Sequence, residues 1–389
     1  MPIISMFAPA SAPRFPSSRL WLLAGLSKSS MTISGIGYTH GSKAAELVRG
    51  SLSFYASMFQ ETAKLSWPQV RETALGFLPY IEQNCPDFVE EMRGIADGTG
   101  NGTTLADIVA LNVRTEIAFG LFSDGCTMLA WHTTGRNGSK KAFMAQNWDW
   151  RAAQSGNLVC LTIKAPDKPA LHTMTEAGLL AKIGFNSNGL GVTLNAIRAL
   201  GVSRDRLPTH LALRTALESR SVVGFRATLD RLGGCAAACT IGVADRDGAV
   251  SLECSAYDVV ALRPKPLKAG SSSFLAHTNH YILPHAPSVQ EVPYLDDSRP
   301  RLERVRELCE GLAWGREEPS VGGLRVVFCD EKGKPFAINR GGDKEGDAVR
   351  NTENSVTLFN VIMDLFARRA WVKIGRPTEG GDDFELGFD

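Results

Sequence analysis

From Gly41 to about Phe59 the apolar residues Ala44, Leu47, Val48, Leu52 and Tyr55 recur at the spacing of one buried helix face. A second helix is predicted over 70–84. Asn84-Cys85-Pro86-Asp87 starts a third, with Glu90 and Glu91 where the helix dipole favours negative charge. Gly98 to Gly102 ends it after Ala96. Thr104-Leu105-Ala106-Asp107 has the form of a capping box and opens a helix through about Phe119. The chain up to Gly125 is therefore expected to be mainly helical.

After Cys126 the pattern turns to strands. Met128 to His132 and Lys141 to Gln146 flank Gly135-Arg136-Asn137-Gly138, a strong hairpin-turn signal. Leu158 to Lys164 is apolar and β-branched. Lys182 to Phe185 and Gly191 to Leu194 surround an Asn186-Ser187-Asn188-Gly189 turn. Helices are predicted from Pro208-Thr209 through Leu217 and over 222–232. Cys239 to Ala244 and Ala249 to Glu253 form a hairpin across Asp245-Arg246-Asp247-Gly248. Asp297-Ser298-Arg299-Pro300 starts a helix carrying Leu302, Val305 and Leu308, and Val356 to Met363 with Ala370 to Ile374 make a last strand pair. Segregated strand hairpins and helix pairs argue for an α+β sandwich with helices covering antiparallel sheet. Residues 286–297 and 341–354 are the candidate linkers.

Composition narrows the class. The 389 residues are 44% hydrophobic and 21% charged with net charge +1, an ordinary globular balance with no general attraction to nucleic acid or anionic membrane. Residues 1–33 differ: they are Ser/Pro-rich, carry Arg14, Arg19 and Lys28, and lack Asp and Glu. Such a start has the character of a disordered or targeting extension. The apolar run Leu20 to Leu26 is too short to span a bilayer. Eight cysteines form no CxxC pair. Cys235 and Cys239 lie four apart without a sequence-adjacent cluster to complete a zinc site, and the cysteines other than Cys126 are expected to be reduced and structural. That fits an intracellular protein, cytoplasmic before peroxisomal or mitochondrial.

One stretch carries chemistry. Asp124-Gly125-Cys126-Thr127 places a cysteine at the head of an apolar run. A thiol there can attack the carbonyl of Gly125, and the amine freed by cleavage can serve that same thiol as base. The residues alone leave other readings open. A lone strand-start cysteine often only packs. Asp149 is either a turn residue or a carboxylate holding an α-ammonium group. Asn279, in His277-Thr278-Asn279-His280, is either an oxyanion donor or part of a polar loop. Arg340 either clamps a carboxylate or lies on the surface. His40 is expected at a helix start or as a buried hydrogen-bonding residue.

Taken in order, Cys126, Gln146-Asn147-Trp148-Asp149, Gly184-Phe185-Asn186-Ser187 and His277-Thr278-Asn279-His280 resemble the acyl-coenzyme A:6-aminopenicillanic acid acyltransferases. These are also called isopenicillin N acyltransferases, peptidase family C45 of the N-terminal-nucleophile hydrolases. The resemblance covers about residues 35–376 and includes Gly37-Tyr38-Thr39-His40-Gly41, Glu91-Met92-Arg93-Gly94, Thr357-Leu358-Phe359-Asn360 and Gly375-Arg376-Pro377. It implies a four-layer αββα sandwich in one domain, 34–389, cut at Gly125–Cys126 into an α chain 1–125 and a β chain 126–389 that stay together. It implies Cys126 as nucleophile with its α-amine as base, Asp149 orienting that amine, Asn279 as an oxyanion donor and Arg340 supporting the site. No metal or bound cofactor is implied; acyl-coenzyme A would be a substrate, with small-molecule amides and amines. Met128, Ala238, Asn339 and Thr193-Leu194 depart from the penicillin-forming pattern. These departures leave the nucleophile intact and bear on the penam substrate and the rate of self-cleavage.

Overall fold

The computed structural model describes residues 21–23, 32–118, 125–135, 138–267, 272–292, 295–314, 319–341 and 355–388. Along them run β1 (Trp21–Leu23), α1 (Ile33–Lys43), α2 (Ala45–Thr62), α3 (Trp67–Leu75), α4 (Leu78–Asn84), α5 (Pro86–Thr99), α6 (Leu105–Asn112), α7 (Arg114–Ile117), β2 (Gly125–Thr134), β3 (Lys140–Arg151), β4 (Leu158–Ile163), β5 (Leu171–Glu176), β6 (Ile183–Asn186) and β7 (Gly191–Ala196). There follow α8 (Thr209–Leu217), α9 (Val222–Arg231), β8 (Cys239–Ala244), β9 (Ala249–Cys254), β10 (Val259–Leu262), β11 (Lys265–Pro266), β12 (Ser272–His277), α10 (Ser298–Trp314), α11 (Val321–Phe328), β13 (Ser355–Asp364), β14 (Arg369–Ile374) and β15 (Asp383–Gly387).

Two sheets result, in the orders β1-β4-β5-β6-β7-β8-β9-β10 and β11-β12-β2-β3-β13-β14-β15. Pairing is antiparallel except for β1, which adds in parallel along β4. Strand alternation assigns the layers. Leu129, Trp131, Phe143 and Ala145 of the second sheet pack on Leu302, Val305 and Cys309 of α10 and Leu324 and Val327 of α11. Their neighbours Cys126, Met128, Ala130, Met144 and Trp148 join the larger core with the first sheet and the other helices. The architecture is the expected α+β, four-layer αββα sandwich.

Several predicted helices are broken, each for a local reason. The helix expected from Gly41 begins at Ile33, where Thr32 Oγ1 caps the amide of Gly35, and is interrupted at Ala44. The 70–84 helix divides into α3 and α4 around Phe77, because Pro79 in the first turn of α4 lacks the amide that would continue a single helix. The helix opened by Thr104 stops at Asn112, whose buried amide bonds the Ile108 and Gly178 carbonyls and the Leu180 amide. Its expected end near Phe119 falls outside the described residues. The 286–292 part of the first linker is pinned, with Ala286 N on Asp258 and Val292 N on the Arg198 carbonyl. The stretch 342–354 lies outside the described residues, as do 1–20 and 24–31. No helix among the described residues is long and apolar enough to cross a membrane.

α1 and α5 meet almost backbone to backbone, and four glycines permit it. A Cβ on Gly37 would lie 1.9 Å from the Glu91 carbonyl oxygen, one on Gly41 2.1 Å from that of Ile95, and one on Gly94 2.1 Å from that of Ser34. Gly98 faces Tyr38 in the same way. Backbone cannot swing aside as a side chain does. Gly37→Ala should therefore cost about 2 kcal/mol through forced helix separation, read as a lower denaturant midpoint.

Candidate functional site

The β2–β3 hairpin sets the site. Its register places Gly125 opposite Asp149 and Cys126 opposite Trp148. Both residues singled out in the sequence thus arrive together at the open end of one hairpin. Cys126 is fully buried, and its side chain belongs to the core between the sheets. Its amide donates to Asn279 Oδ1 at 2.9 Å, and its carbonyl accepts from Arg301 Nη1 at 2.7 Å.

Behind the hairpin, on the α10–α11 side, lies a buried network of charge. Arg340 Nε donates to Asp149 Oδ2 at 3.3 Å, and its Nη2 bonds Asp297 Oδ2. The same Asp297 oxygen accepts from Arg301 Nε at 2.6 Å. Thr357 Oγ1 donates to Asp149 Oδ1 at 2.7 Å. A β-bulge in β13 between Thr357 and Phe359 keeps Thr357 opposite Asp149 while Phe359 pairs with Trp148. Burial pushes the Asp149 carboxyl up to about 7, against the pull of Arg340, Arg301 and the Thr357 hydroxyl. Burial also opposes charge on Asp297, but Arg301 and Arg340 outweigh it and hold that carboxyl below the usual range. The two guanidiniums thus favour Asp297, and Asp149 keeps the longer bond.

The glycine before the cysteine has a physical cause. A Cβ on Gly125 would fall 2.7 Å from Arg340 Nε and 2.8 Å from its Nη2. The guanidinium occupies the space a side chain would need, so Arg340 is buried against the 125–126 junction instead of lying on the surface.

Asn279 follows β12, and the first turn of α10 holds it there. Its amide donates to Ser298 Oγ at 2.8 Å, and Thr278 Oγ1 donates to the Ser298 carbonyl. Its Oδ1 takes both the Cys126 amide and Arg301 Nη2, at 2.9 and 2.8 Å, and its Nδ2 donates to the Ala196 carbonyl at 3.0 Å. The family resemblance implies Asn279 as a donor to an oxyanion. In the uncleaved chain its oxygen instead serves the cysteine's nitrogen, the position expected for Asp149. Asp149 itself bonds Thr357 and Arg340.

Arg301, Asp297 and Thr357, none of them a candidate site residue from the sequence, complete the network around the junction. The available signal was the i,i+4 pair of Asp297 and Arg301 at a helix start.

Next to the Ala196 carbonyl that Asn279 bonds lies a small cavity of about 40 Å³, whose lining includes Thr115, Leu194, Ala196, Ile197, Ala238 and Cys239. Leu194 and Ala238, two of the noted departures, therefore lie on its wall. Gln146 ties this wall to the hairpin through the Leu194 backbone. Elsewhere, Cys254 joins Cys235 and Cys239 in a buried group whose sulfurs lie within 4.8 Å of one another, one ligand short of a tetrahedral zinc set. None of the eight cysteines, all among the described residues, forms a disulfide. His40 is the buried hydrogen-bonding residue: its Nε2 accepts from Gly178 N at 3.1 Å, and burial with Arg214 nearby lowers it to about 4.

Residues 135–379 match the model of the acyl-coenzyme A:6-aminopenicillanic acid acyl-transferase family. The 40 kDa form of acyl-coenzyme A:6-aminopenicillanic-acid-acyltransferase from Emericella nidulans is 35% identical over 359 residues, 92% of this chain and 94% of that protein. Among solved structures, a mutant conjugated bile acid hydrolase from Clostridium perfringens is 11% identical with a TM-score of 0.46, covering 67% of this chain and 92% of the other. An N-acylethanolamine-hydrolyzing acid amidase orthologue from Caenorhabditis elegans is 15% identical with a TM-score of 0.39, covering 61% and 92%.

Proposed function

This chain belongs to the acyl-coenzyme A:6-aminopenicillanic acid acyl-transferase family, and on that premise we propose a self-cleaving cysteine enzyme that passes an acyl group through a Cys126 thioester to a small amine. One observation carries the reading. The Gly125–Cys126 junction is gripped from three sides, by Arg340 against Gly125, Asn279 on the Cys126 nitrogen and Arg301 on its carbonyl.

Self-cleavage begins with the Cys126 thiol adding to the Gly125 carbonyl. The C–N bond breaks, the nitrogen takes up a proton, and a Gly125 thioester remains. Water hydrolyses that thioester, leaving a carboxylate on 1–125 and a free amine on 126–389. The fragments remain together because the helices before Ala118 and the strands after Cys126 share one core. In turnover the amine takes the thiol proton as sulfur attacks an amide or thioester carbonyl. The ammonium returns the proton to the leaving group, and an acceptor amine then attacks acyl-Cys126 and releases the product. Asp149 holds the amine's charge. The second Nδ2 hydrogen of Asn279, beyond the one on Ala196, donates to the developing oxyanion while its Oδ1 stays on the Cys126 nitrogen. Acyl-coenzyme A enters as a donor substrate, and no resident cofactor or metal takes part. The cytoplasm is the proposed compartment.

Intact-mass analysis with acyl donors tests the proposal: an acyl adduct on 126–389 that added amine discharges as an amide supports it. Discharge by water alone marks an amide hydrolase, and a single unmodified chain marks a non-catalytic scaffold.

The charge on Asp149 gives a pH signature. Its protonated form cannot hold an ammonium group, so kcat/KM should climb as pH rises through about 7. In Asp149→Asn activity should be low, and the rise that remains should follow deprotonation of the Cys126 amine alone.

A further inference from the structure

A chain end created by cleavage frays unless something ties it down. Cys126 becomes such an end under the proposed function, on which this inference rests. Beyond the β2–β3 pairing that sets Cys126 opposite Trp148, a single guanidinium then helps to hold it. Arg301 Nη1 donates to the Cys126 carbonyl at 2.7 Å and to Thr127 Oγ1 at 3.0 Å. Its Nη2 donates at 2.8 Å to Asn279 Oδ1, the same oxygen that accepts the Cys126 nitrogen. Its Nε is fixed on Asp297 just before the start of α10, and the side chain is 2% exposed.

Asp297 also anchors Arg340, and the two arginines divide the junction between them. Arg340 packs against Gly125, the residue that departs as a carboxylate. Arg301 bonds only groups on the side that stays. Its four acceptors require a planar fork, which a lysine ammonium cannot reproduce from one point.

The geometry points to Arg301 as the positioning residue that replaces the severed peptide bond, holding the main chain of Cys126 in register for every turnover after self-cleavage. It lies on the Asp297 side of the sheet, is not among the residues lining the cavity, and touches no reacting atom.

Arg301→Lys in the full chain tests this, because it keeps the charge beside Asp297. Two readouts serve: hydrogen–deuterium exchange of the mature protein, and turnover of hexanoyl-coenzyme A with hydroxylamine as acceptor. Exchange should quicken at the start of β2 and stay unchanged elsewhere. The kcat should fall about 100-fold with KM within about threefold, the loss that follows from a displacement near 1 Å. Adding methylguanidinium to Arg301→Ala should restore part of the rate. Wild-type exchange and a kcat within threefold in Arg301→Lys would overturn the inference, as would faster exchange throughout the chain or a loss confined to KM. The exchange readout needs no substrate, so a poor acyl probe leaves it decisive. Should Arg301→Lys fail to fold, Thr127→Val decides, since it deletes one acceptor of the fork: faster exchange at the start of β2 supports the inference, and none overturns it. An uncleaved wild type would overturn the proposed function beneath; a cleaved wild type beside unchanged variants overturns this inference alone.

Discussion

Cys126→Ala should yield a full-length chain that folds but never divides, with turnover reduced by on the order of 10⁴ or more. The size of the effect follows from one residue filling two roles. Losing the sulfur removes the nucleophile, and because sulfur also opens the Gly125–Cys126 bond, the amine that would act as base is never released. Two contributions disappear with one substitution. Folding should survive, since Cys126 is one member of a wide core and the alanine removes a single atom from it. Denaturing electrophoresis should show one band in place of fragments of about 13 and 28 kDa, scaled from chain length. Thermal unfolding of the variant should stay close to that of a wild-type precursor.

Arg340→Met should be nearly as damaging, by a different route. The guanidinium is 1% exposed and lies between Asp149 and Asp297 while also packing on Gly125. Methionine fills much of the volume but leaves two carboxylates facing each other without a shared cation. Removing one partner of a buried ion network costs about 3–5 kcal/mol. Asp297 keeps Arg301, so the burden falls on Asp149, whose carboxyl stands at about 7 even with the arginine present. Without it Asp149 stays protonated at neutral pH. Self-cleavage should slow by on the order of 10² or more, as for the loss of one preorganised electrostatic group. Arg340→Lys should rescue poorly, because one ammonium cannot span both carboxylates. Time-resolved gels and chemical denaturation together read the two losses.

The parts of this site that were legible in the sequence are those joined by local pairing. Cys126 and Asp149 lie just beyond the two strands predicted around a plain turn signal, and the strands run on far enough for their register to bring the pair together; their roles came from the family resemblance. The segregated helices and hairpins gave the sandwich for the same reason, since short antiparallel connections leave few ways to stack. Asn279 and Arg340 came into view through the family resemblance, and the geometry then brought both to the junction. Asn279, however, turns its oxygen to the cysteine nitrogen. Such an orientation depends on Arg301 and Ala196, which lie far away in sequence, and no periodicity reports it.

Arg301 and Asp297 were hidden because an i,i+4 acid–base pair at a helix start is common on exposed helices. Only the tertiary placement of α10 over β2 gives this pair its role. The bulge that aims Thr357 at Asp149 was equally invisible, since one extra residue in a long strand leaves the alternating pattern almost unchanged. β10 and β11 escaped for want of length. The break at Asn112 escaped because its cause, the Gly178–Leu180 backbone, lies in another layer.

The most direct test is N-terminal sequencing, with intact mass, of the active wild-type protein after separation of its chains. The account predicts a second sequence beginning Cys126-Thr127-Met128, in amounts matching the activity. Full activity in a chain with Gly125 still bonded to Cys126, or a new end at any other residue, would contradict it.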